Sequence, residues 1–196
     1  MSQISQEIIE MFEKWYSEAA LSDGVHEHPA MTVSTCGSEG IPSSRIVLLR
    51  KYDRRGFVFF TNYESRKSLE INENGYASLV FYWGVLDKQI RIVGKIEKTS
   101  NAESDAYFAS RGRSKQISAI SSKQSQPLEH PDAFQENIKK NEASYPAGLI
   151  ARPEHWGGWR VVPHEIEFWQ QGKFRRHERL HYTKTHEGWK TNVLYP

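Results

Sequence analysis

Apolar residues recur at Ile4, Ile8, Met11, Phe12, Trp15 and Ala19, a spacing that predicts an amphipathic helix from Ile4 to Ala20. After a loop from Leu21 to Pro29 the period shortens to two. Ala30 to Cys36 and Ser43 to Leu49 read as hairpin arms around a turn at Gly37 to Gly40. Within the second arm, the apolar run Ile46 to Leu49, flanked by Arg45 and Arg50, predicts a buried strand. Asp53-Arg54-Arg55-Gly56 is a turn, and Phe57 to Thr61 is expected to pair antiparallel with that run. Asn62 and Ser65 both suit the cap of a short helix, Ser65 to Asn72, that opens with Arg66 and Lys67. Tyr76 to Trp83 has little polar interruption and reads as a central strand. Gly84 to Lys88 turns the chain into Gln89 to Lys98, with Ile90, Ile92 and Ile96 on one face and Gln89 and Arg91 on the other.

The middle of the chain is polar and helical. Asn101 is expected to cap a helix running to about Arg111, and Gln116 to Ile120 and Pro131 to Ser144 predict two more. Strand patterning returns at Trp159 to Val162, Glu165 to Gln170, Phe174 to Lys184 and Trp189 to Leu194. In the third of these, Arg175, His177, Arg179 and His181 fall on one face at period two. Strands joined mainly by hairpins predict a mainly β chain with helices (α+β), an antiparallel barrel carrying a helical insertion at 101–144. No linker divides the chain, so 1–196 reads as one domain, with barrel strands at 30–98 and 159–196.

Composition narrows the partners. The 26 cations nearly balance 24 anions, leaving a net charge of +2, which is no footprint for bulk nucleic-acid binding. Cys36 is the single cysteine and cannot form an internal disulfide. The opening residues lack a signal-peptide pattern, and no apolar run approaches membrane-spanning length. A soluble cytoplasmic protein with neither nucleic-acid nor membrane partner is expected. His26-Glu27-His28 lacks the further His or Cys spacing of a metal site, so no metal is expected.

Cations concentrate in two places. Arg45, Arg50, Arg66 and Lys67 stand at two strand ends and a helix start, a combination suited to a phosphate dianion. Arg175, His177 and Arg179 form a second group, expensive to bury without an anion and equally at home on a solvent-facing edge strand. There is no Gly-x-Ser-x-Gly nucleophile elbow, P-loop or Gly-x-Gly-x-x-Gly motif. A nucleotide-like ligand would therefore be held by side-chain cations at a barrel edge.

Eight short stretches in order carry a resemblance: Arg45 to Leu49, Phe60 to Lys67, Ala77 to Trp83, Tyr107 to Arg111, Ser122 to Ser125, Trp156 to Gly158, Glu167 to Gln170, and Arg175-x-His177-x-Arg179. Together they resemble the pyridoxine (pyridoxamine) 5′-phosphate oxidases over roughly residues 30 to 196. The resemblance implies a split β-barrel that dimerises and holds two FMN molecules at the subunit interface. It implies that Arg45, Arg66 and Lys67 hold the FMN phosphate and neighbouring groups, and that Ile46, Val47, Leu48, Leu49, Arg50, Phe60 and Thr61 line the cofactor. Gln89, Gln124, Ser125, Trp169 and Arg179 would complete that site, some from the partner chain. Arg50, Tyr107, Arg111 and Lys115 fall where the family holds the substrate phosphate, and Arg175 and His177 where it contacts the pyridine ring.

The implied reaction oxidises the exocyclic carbon of pyridoxamine or pyridoxine 5′-phosphate to the aldehyde of pyridoxal 5′-phosphate, the active form of vitamin B6. O2 is the final acceptor and hydrogen peroxide the product. Departures from the family pattern gather in the substrate set: Arg50 replaces a usual Lys, Lys115 a usual Ser, Gly112 a usual Pro and Ser118 a usual Gly. His28 stands where an acidic residue often precedes Pro29, the tail reads Val193-Leu-Tyr-Pro196, and no counterpart of the family's N-terminal Arg-x-x-Tyr arm precedes Ile4. An FMN-dependent oxidase of another substrate, such as a phenazine-type precursor, and a flavin-binding protein without turnover are the alternatives.

Overall fold

The computed structural model describes residues 3–196. Helix α1 (Gln6–Leu21) is capped by Ser5, whose hydroxyl accepts from the Ile8 N–H. Strands β1 (Ala30–Cys36) and β2 (Pro42–Leu48) form the expected hairpin, with Thr35 opposite Ser43 and Val33 opposite Arg45. Next come β3 (Lys51–Asp53), β4 (Gly56–Asn62) and helix α2 (Arg66–Asn74). Strands β5 (Tyr76–Trp83) and β6 (Lys88–Lys98) follow, then helices α3 (Asn101–Ser110), α4 (Arg113–Ser121) and α5 (Ala133–Ser144). The chain ends with β7 (Trp156–Gln170), β8 (Glu178–Thr185) and β9 (Gly188–Val193).

All nine strands join one antiparallel sheet in the order β2-β1-β5-β6-β7-β4-β3, with β8 and β9 branching from β7. Strand β7 creates the branch. One edge runs along β6, while the other pairs with β4 through Trp156–Val161 and with β8 through Glu165–Gln170. The sheet curls into a split barrel, and α1 buries Ile8 and Phe12 against its concave core. The Phe12 ring meets Tyr52 and Phe57 edge-on, each at 4.9 Å. A second, smaller core of Phe108, Ile117, Ile150 and Trp156 seats the helical insertion on the start of β7.

Several expectations change. The run Ile46 to Leu49 does not pair with Phe57 to Thr61: β2 pairs only with β1, and β4 takes β3 and β7 as neighbours. The turn at 53–56 pairs Phe57 and Val58 with Tyr52 and Lys51 instead, so the short β3 is its partner arm. Asn101 is not the cap of α3. Ser100 is, with a full capping box to Glu103.

The two strands expected either side of Pro163 are one strand. Proline lacks an N–H, and the ladder absorbs it with a bulge: Val93 pairs with Glu165 and Gly94 with Pro163, leaving His164 over. A Cβ at Gly94 would lie 2.3 Å from the Val162 carbonyl oxygen, so the bulge needs glycine there.

The largest departure is at Phe174 to His177. These residues do not extend β8. Lys173–Arg175 form a single 3-10 turn, with Phe174 at φ 57° and Arg175 at φ 62°. Arg175 and His177 therefore do not share a period-two face with Arg179; only Arg179 and His181 do. The turn needs glycine at its entry, since a Cβ on Gly172 would sit 1.9 Å from the Arg176 carbonyl oxygen.

Candidate cofactor and substrate cleft

Twelve of the expected cofactor and substrate positions line one cleft of about 390 Å³ between β2, β4, α2 and the helical insertion. Its wall comprises Arg45, Ile46, Val47, Leu48, Arg50, Phe60, Thr61 and Lys67, joined by Gln124 and Ser125, with Tyr107 and Arg111 from the end of α3. The polar residues outweigh the apolar ones, and four of the twelve are cations.

Lys67 lies at the floor. It is only 7% exposed, and its ammonium donates to Thr61 Oγ1 (3.1 Å), Ser65 Oγ (3.0 Å) and Gln124 Oε1 (3.0 Å). All three partners are neutral, and no carboxylate lies within ion-pair distance of it among the described residues. Burial, with the nearby Arg45 charge, pushes its pKa down to about 8, against a smaller opposing pull from Glu70. Ser65 occupies the cap position of α2, yet its hydroxyl turns back to donate to the Asn62 carbonyl at 2.7 Å. Asn62 instead accepts from the Glu64 N–H. Neither candidate side chain therefore covers the helix start.

Arg111 forms the other end. Its guanidinium lies over the Trp156 ring at 4.7 Å and donates through Nη2 to the Lys115 carbonyl, while its buried Nε has no partner. Burial lowers its pKa, and Arg50 adds to that. Tyr107 stacks on Phe60 at 3.9 Å, which holds the phenol at the cleft wall. A buried lysine with neutral partners and a buried arginine nitrogen with none describe a cleft electrostatically incomplete without an anion. That fits a phosphorylated, flat ligand.

The remaining expected residues lie elsewhere. Leu49 turns into the main core at 3% exposure, so it lines nothing. Arg66, next to Lys67 on α2, is exposed outside the lining and donates through Nε to Glu70 at 2.8 Å. Lys115 is exposed and meets the cleft only through the carbonyl that receives Arg111. Gln89, Trp169 and Arg179 stand side by side on β6, β7 and β8 as register partners. His177 rests on Trp169 at 4.7 Å and donates nothing to it, while its Nδ1 accepts weakly from the Gly172 N–H at 3.4 Å. Arg179 is oriented by Glu167 (2.7 Å), and Arg175 is exposed on its turn. These five make a second surface, and His177 and Arg179 border a separate groove of about 470 Å³ with Met11 and Trp15.

Sequence reasoning missed three contributors. Glu70 is buried under Arg45 and Arg66, and its place four residues after Arg66 was the available signal. Thr35 and Ser43, hydrogen-bonded to both Arg45 and Glu70, carried no signal short of the β1–β2 register. Among the described residues, no group of three or more His, Cys, Asp or Glu is arranged to hold a metal, and no helix is long and apolar enough to cross a membrane.

An antiparallel split barrel with a cationic, aromatic-walled cleft at its edge defines a flavin-binding class, and known proteins agree. A structure from Nostoc punctiforme, described as a pyridoxamine 5′-phosphate oxidase-related, FMN binding protein, shares the fold at TM-score 0.76 and 13% identity over both whole chains. PhzG from Burkholderia lata, solved with tetrahydrophenazine-1-carboxylic acid, superposes at TM-score 0.91 with 31% identity, covering 100% of this chain and 94% of that one. Residues 17–143 match the family model for pyridoxamine 5′-phosphate oxidase, and residues 156–196 match the model for the pyridoxine 5′-phosphate oxidase C-terminal dimerisation region. The chain belongs to the pyridoxamine 5′-phosphate oxidase family. It is 50% identical to the pyridoxine/pyridoxamine 5′-phosphate oxidase of Colwellia psychrerythraea, across 95% of this chain and 86% of the relative. It is 44% identical to that of Myxococcus xanthus, across 97% and 90%.

Proposed function

We propose that this chain is an FMN-dependent oxidase that converts pyridoxamine 5′-phosphate and pyridoxine 5′-phosphate to pyridoxal 5′-phosphate. For the amine, substrate, O2 and water give aldehyde, ammonia and hydrogen peroxide. The observation that carries the reading is the cleft itself: Lys67 buried among neutral partners, with Arg45, Arg50 and Arg111 around it. The 50% identity to a named oxidase favours this substrate over the phenazine-type alternative, whose structural relative is 31% identical.

In this reading Arg45, Arg66 and Lys67 hold the FMN phosphate. Ile46 to Leu48, Arg50, Phe60, Thr61, Gln124 and Ser125 line the cofactor. FMN, when bound, accepts the two electrons and passes them to O2. Arg111, Tyr107 and Arg50 grip the substrate phosphate, with Lys115 at the rim. Arg175 and His177 position the pyridine ring and balance charge as the exocyclic carbon is oxidised. Gln89, Trp169 and Arg179 stand with them on the second surface, so the working unit is a homodimer in which this surface completes the partner's cleft.

The test supplies pyridoxamine and pyridoxine, each with and without phosphate, to FMN-loaded protein in the absence of oxygen. Bleaching of the flavin colour by the phosphorylated pair alone is expected. Fully loaded protein that none of the four bleaches would refute the substrate assignment.

A further inference from the structure

Glu70 lies behind the cationic end of the cleft, paired with Arg45 and Arg66, and its bonds are unusually directed. Its Oε2 accepts from the hydroxyls of Thr35 and Ser43, each at 2.5 Å. Those two hydroxyl oxygens in turn accept from Arg45, Thr35 from Nη1 and Ser43 from Nη2, each at 2.6 Å. The other carboxylate oxygen, Oε1, accepts from Arg66 Nε at 2.8 Å. Thr35 and Ser43 face each other across β1 and β2, so one carboxylate on α2 locks both strands of the hairpin and two arginines at once.

Burial would push the Glu70 pKa up. The donors from Ser43, Thr35 and Arg66, with the Arg45 charge, overcome it and bring the value down to about 2. The group is therefore ionised throughout the working range.

An ionised carboxylate beside a phosphate site repels the phosphate, so its charge alone should weaken binding. Its geometry acts in the opposite sense. Arginine carries several rotatable bonds, and Arg45, held at both Nη atoms, is ordered before any ligand arrives, which removes an ordering cost from binding, while the exposed Arg66 is steered by its one bond to Glu70. The bond to Arg66 uses Nε and leaves both Nη groups for a ligand.

We propose that Glu70 is the positioning residue of the phosphate end of the cofactor cleft, fixing Arg45 through the hydroxyls of Thr35 and Ser43 and Arg66 directly. The proposal rests on FMN occupying this cleft. The two effects of Glu70 have opposite signs, so a substitution that removes the charge and keeps the shape separates them.

The experiment titrates flavin-free full-length protein with FMN and with riboflavin, which has the same ring and no phosphate, and follows quenching of flavin fluorescence. Glu70→Gln is expected to raise the FMN dissociation constant about tenfold, the scale of a lost charge-assisted contact, and to leave riboflavin within about twofold. Ser43→Ala, which breaks one arm of the relay at a half-buried position, is expected to shift FMN in the same direction by less, and decides the matter by the same ratio if Glu70→Gln does not fold. An unchanged or tighter FMN constant in the variants would overturn the proposal, and so would an equal loss for FMN and riboflavin, which marks a merely structural role. Wild-type protein that binds no FMN would instead overturn the cofactor reading and the proposal with it.

Discussion

Replacing Lys67 with methionine should stabilise the flavin-free protein while it weakens FMN binding. The ordinary lysine value of 10.5 falls to about 8 at this buried site, a difference worth about 3 kcal/mol. Below pH 8 the lysine is charged in both the folded and the unfolded chain, and the folded state bears the full cost. Between pH 8 and 10.5 the unfolded chain holds the proton and the folded one has released it, so stability rises with pH across that window. Methionine removes the burial cost and keeps the apolar stem. It also removes three hydrogen bonds, but Thr61 still donates to Gln124 (2.9 Å) and Ser65 to the Asn62 carbonyl (2.7 Å), so neither hydroxyl is orphaned. Losing those bonds takes back about 1–2 kcal/mol, leaving Lys67→Met more stable by about 1–2 kcal/mol at pH 7. Its stability should also be nearly flat from pH 8 to 10. FMN affinity should drop about 10- to 100-fold, matching a charge-assisted phosphate contact of about 1.5–3 kcal/mol. Urea unfolding followed by tryptophan fluorescence, at one fixed protein concentration, measures the first effect, and flavin titration the second. A flavin-free Lys67→Met protein less stable than wild type at pH 7 would refute the claim that this lysine is held at a cost for the sake of an anion.

Arg160→Met should cost about 1.5–3 kcal/mol, because Arg160 is 2% exposed and bridges Asp53 (3.2 Å) and Glu103 (2.9 Å), which lose a charge-assisted partner and keep only the more exposed Arg55 and Lys51. Both carboxyls are half-buried yet held below their ordinary values, Asp53 chiefly by Arg55 and Glu103 by the Ser100 N–H and Arg160. Their contribution is therefore present above the ordinary carboxylate range and lost as pH falls through the lowered values, and unfolding midpoints from pH 6 down to 3 should fall more steeply in wild type than in Arg160→Met. Arg111→Met should raise KM for pyridoxamine 5′-phosphate about tenfold and leave FMN affinity unchanged, as steady-state kinetics and flavin titration will show.

The cleft was legible where local sequence alone sets a residue's place. Reading strand ends, turn and helix start was enough to put Arg45, Arg50 and Lys67 in one region, whereas Ile46 to Leu48, Phe60 and Thr61 followed from the family resemblance, and the expected pairing of their two strands does not form. The turn at Lys173–Arg175 was not legible, because alternation from Phe174 to Lys184 continues through it. The left-handed backbone at Phe174 and Arg175 brings Gly172 against the Arg176 carbonyl, a local contact that alternation does not record. Pairing partners were likewise hidden. Alternation says that Phe57 to Thr61 is a strand, but its neighbour, β7, arrives about a hundred residues later. Glu70 went unnoticed because a glutamate on a short polar helix looks solvated until β1 and β2 are placed beneath it.

The two-sided pairing of β7 governs how this chain reaches its fold during synthesis. The hairpin of β1 and β2, the β5–β6 pair and the helices of 101–144 need only nearby residues and can form as they leave the ribosome. Strands β4 and β6 cannot be finished that way, since both wait on one edge for residues 156–170. Until then the chain presents two open, apolar strand edges, including Phe57, Phe59, Ile90 and Ile92, to whatever is nearby. Loop closure over these separations makes the last step slow, and both edges stay open to wrong pairing for as long as the final forty residues are unmade.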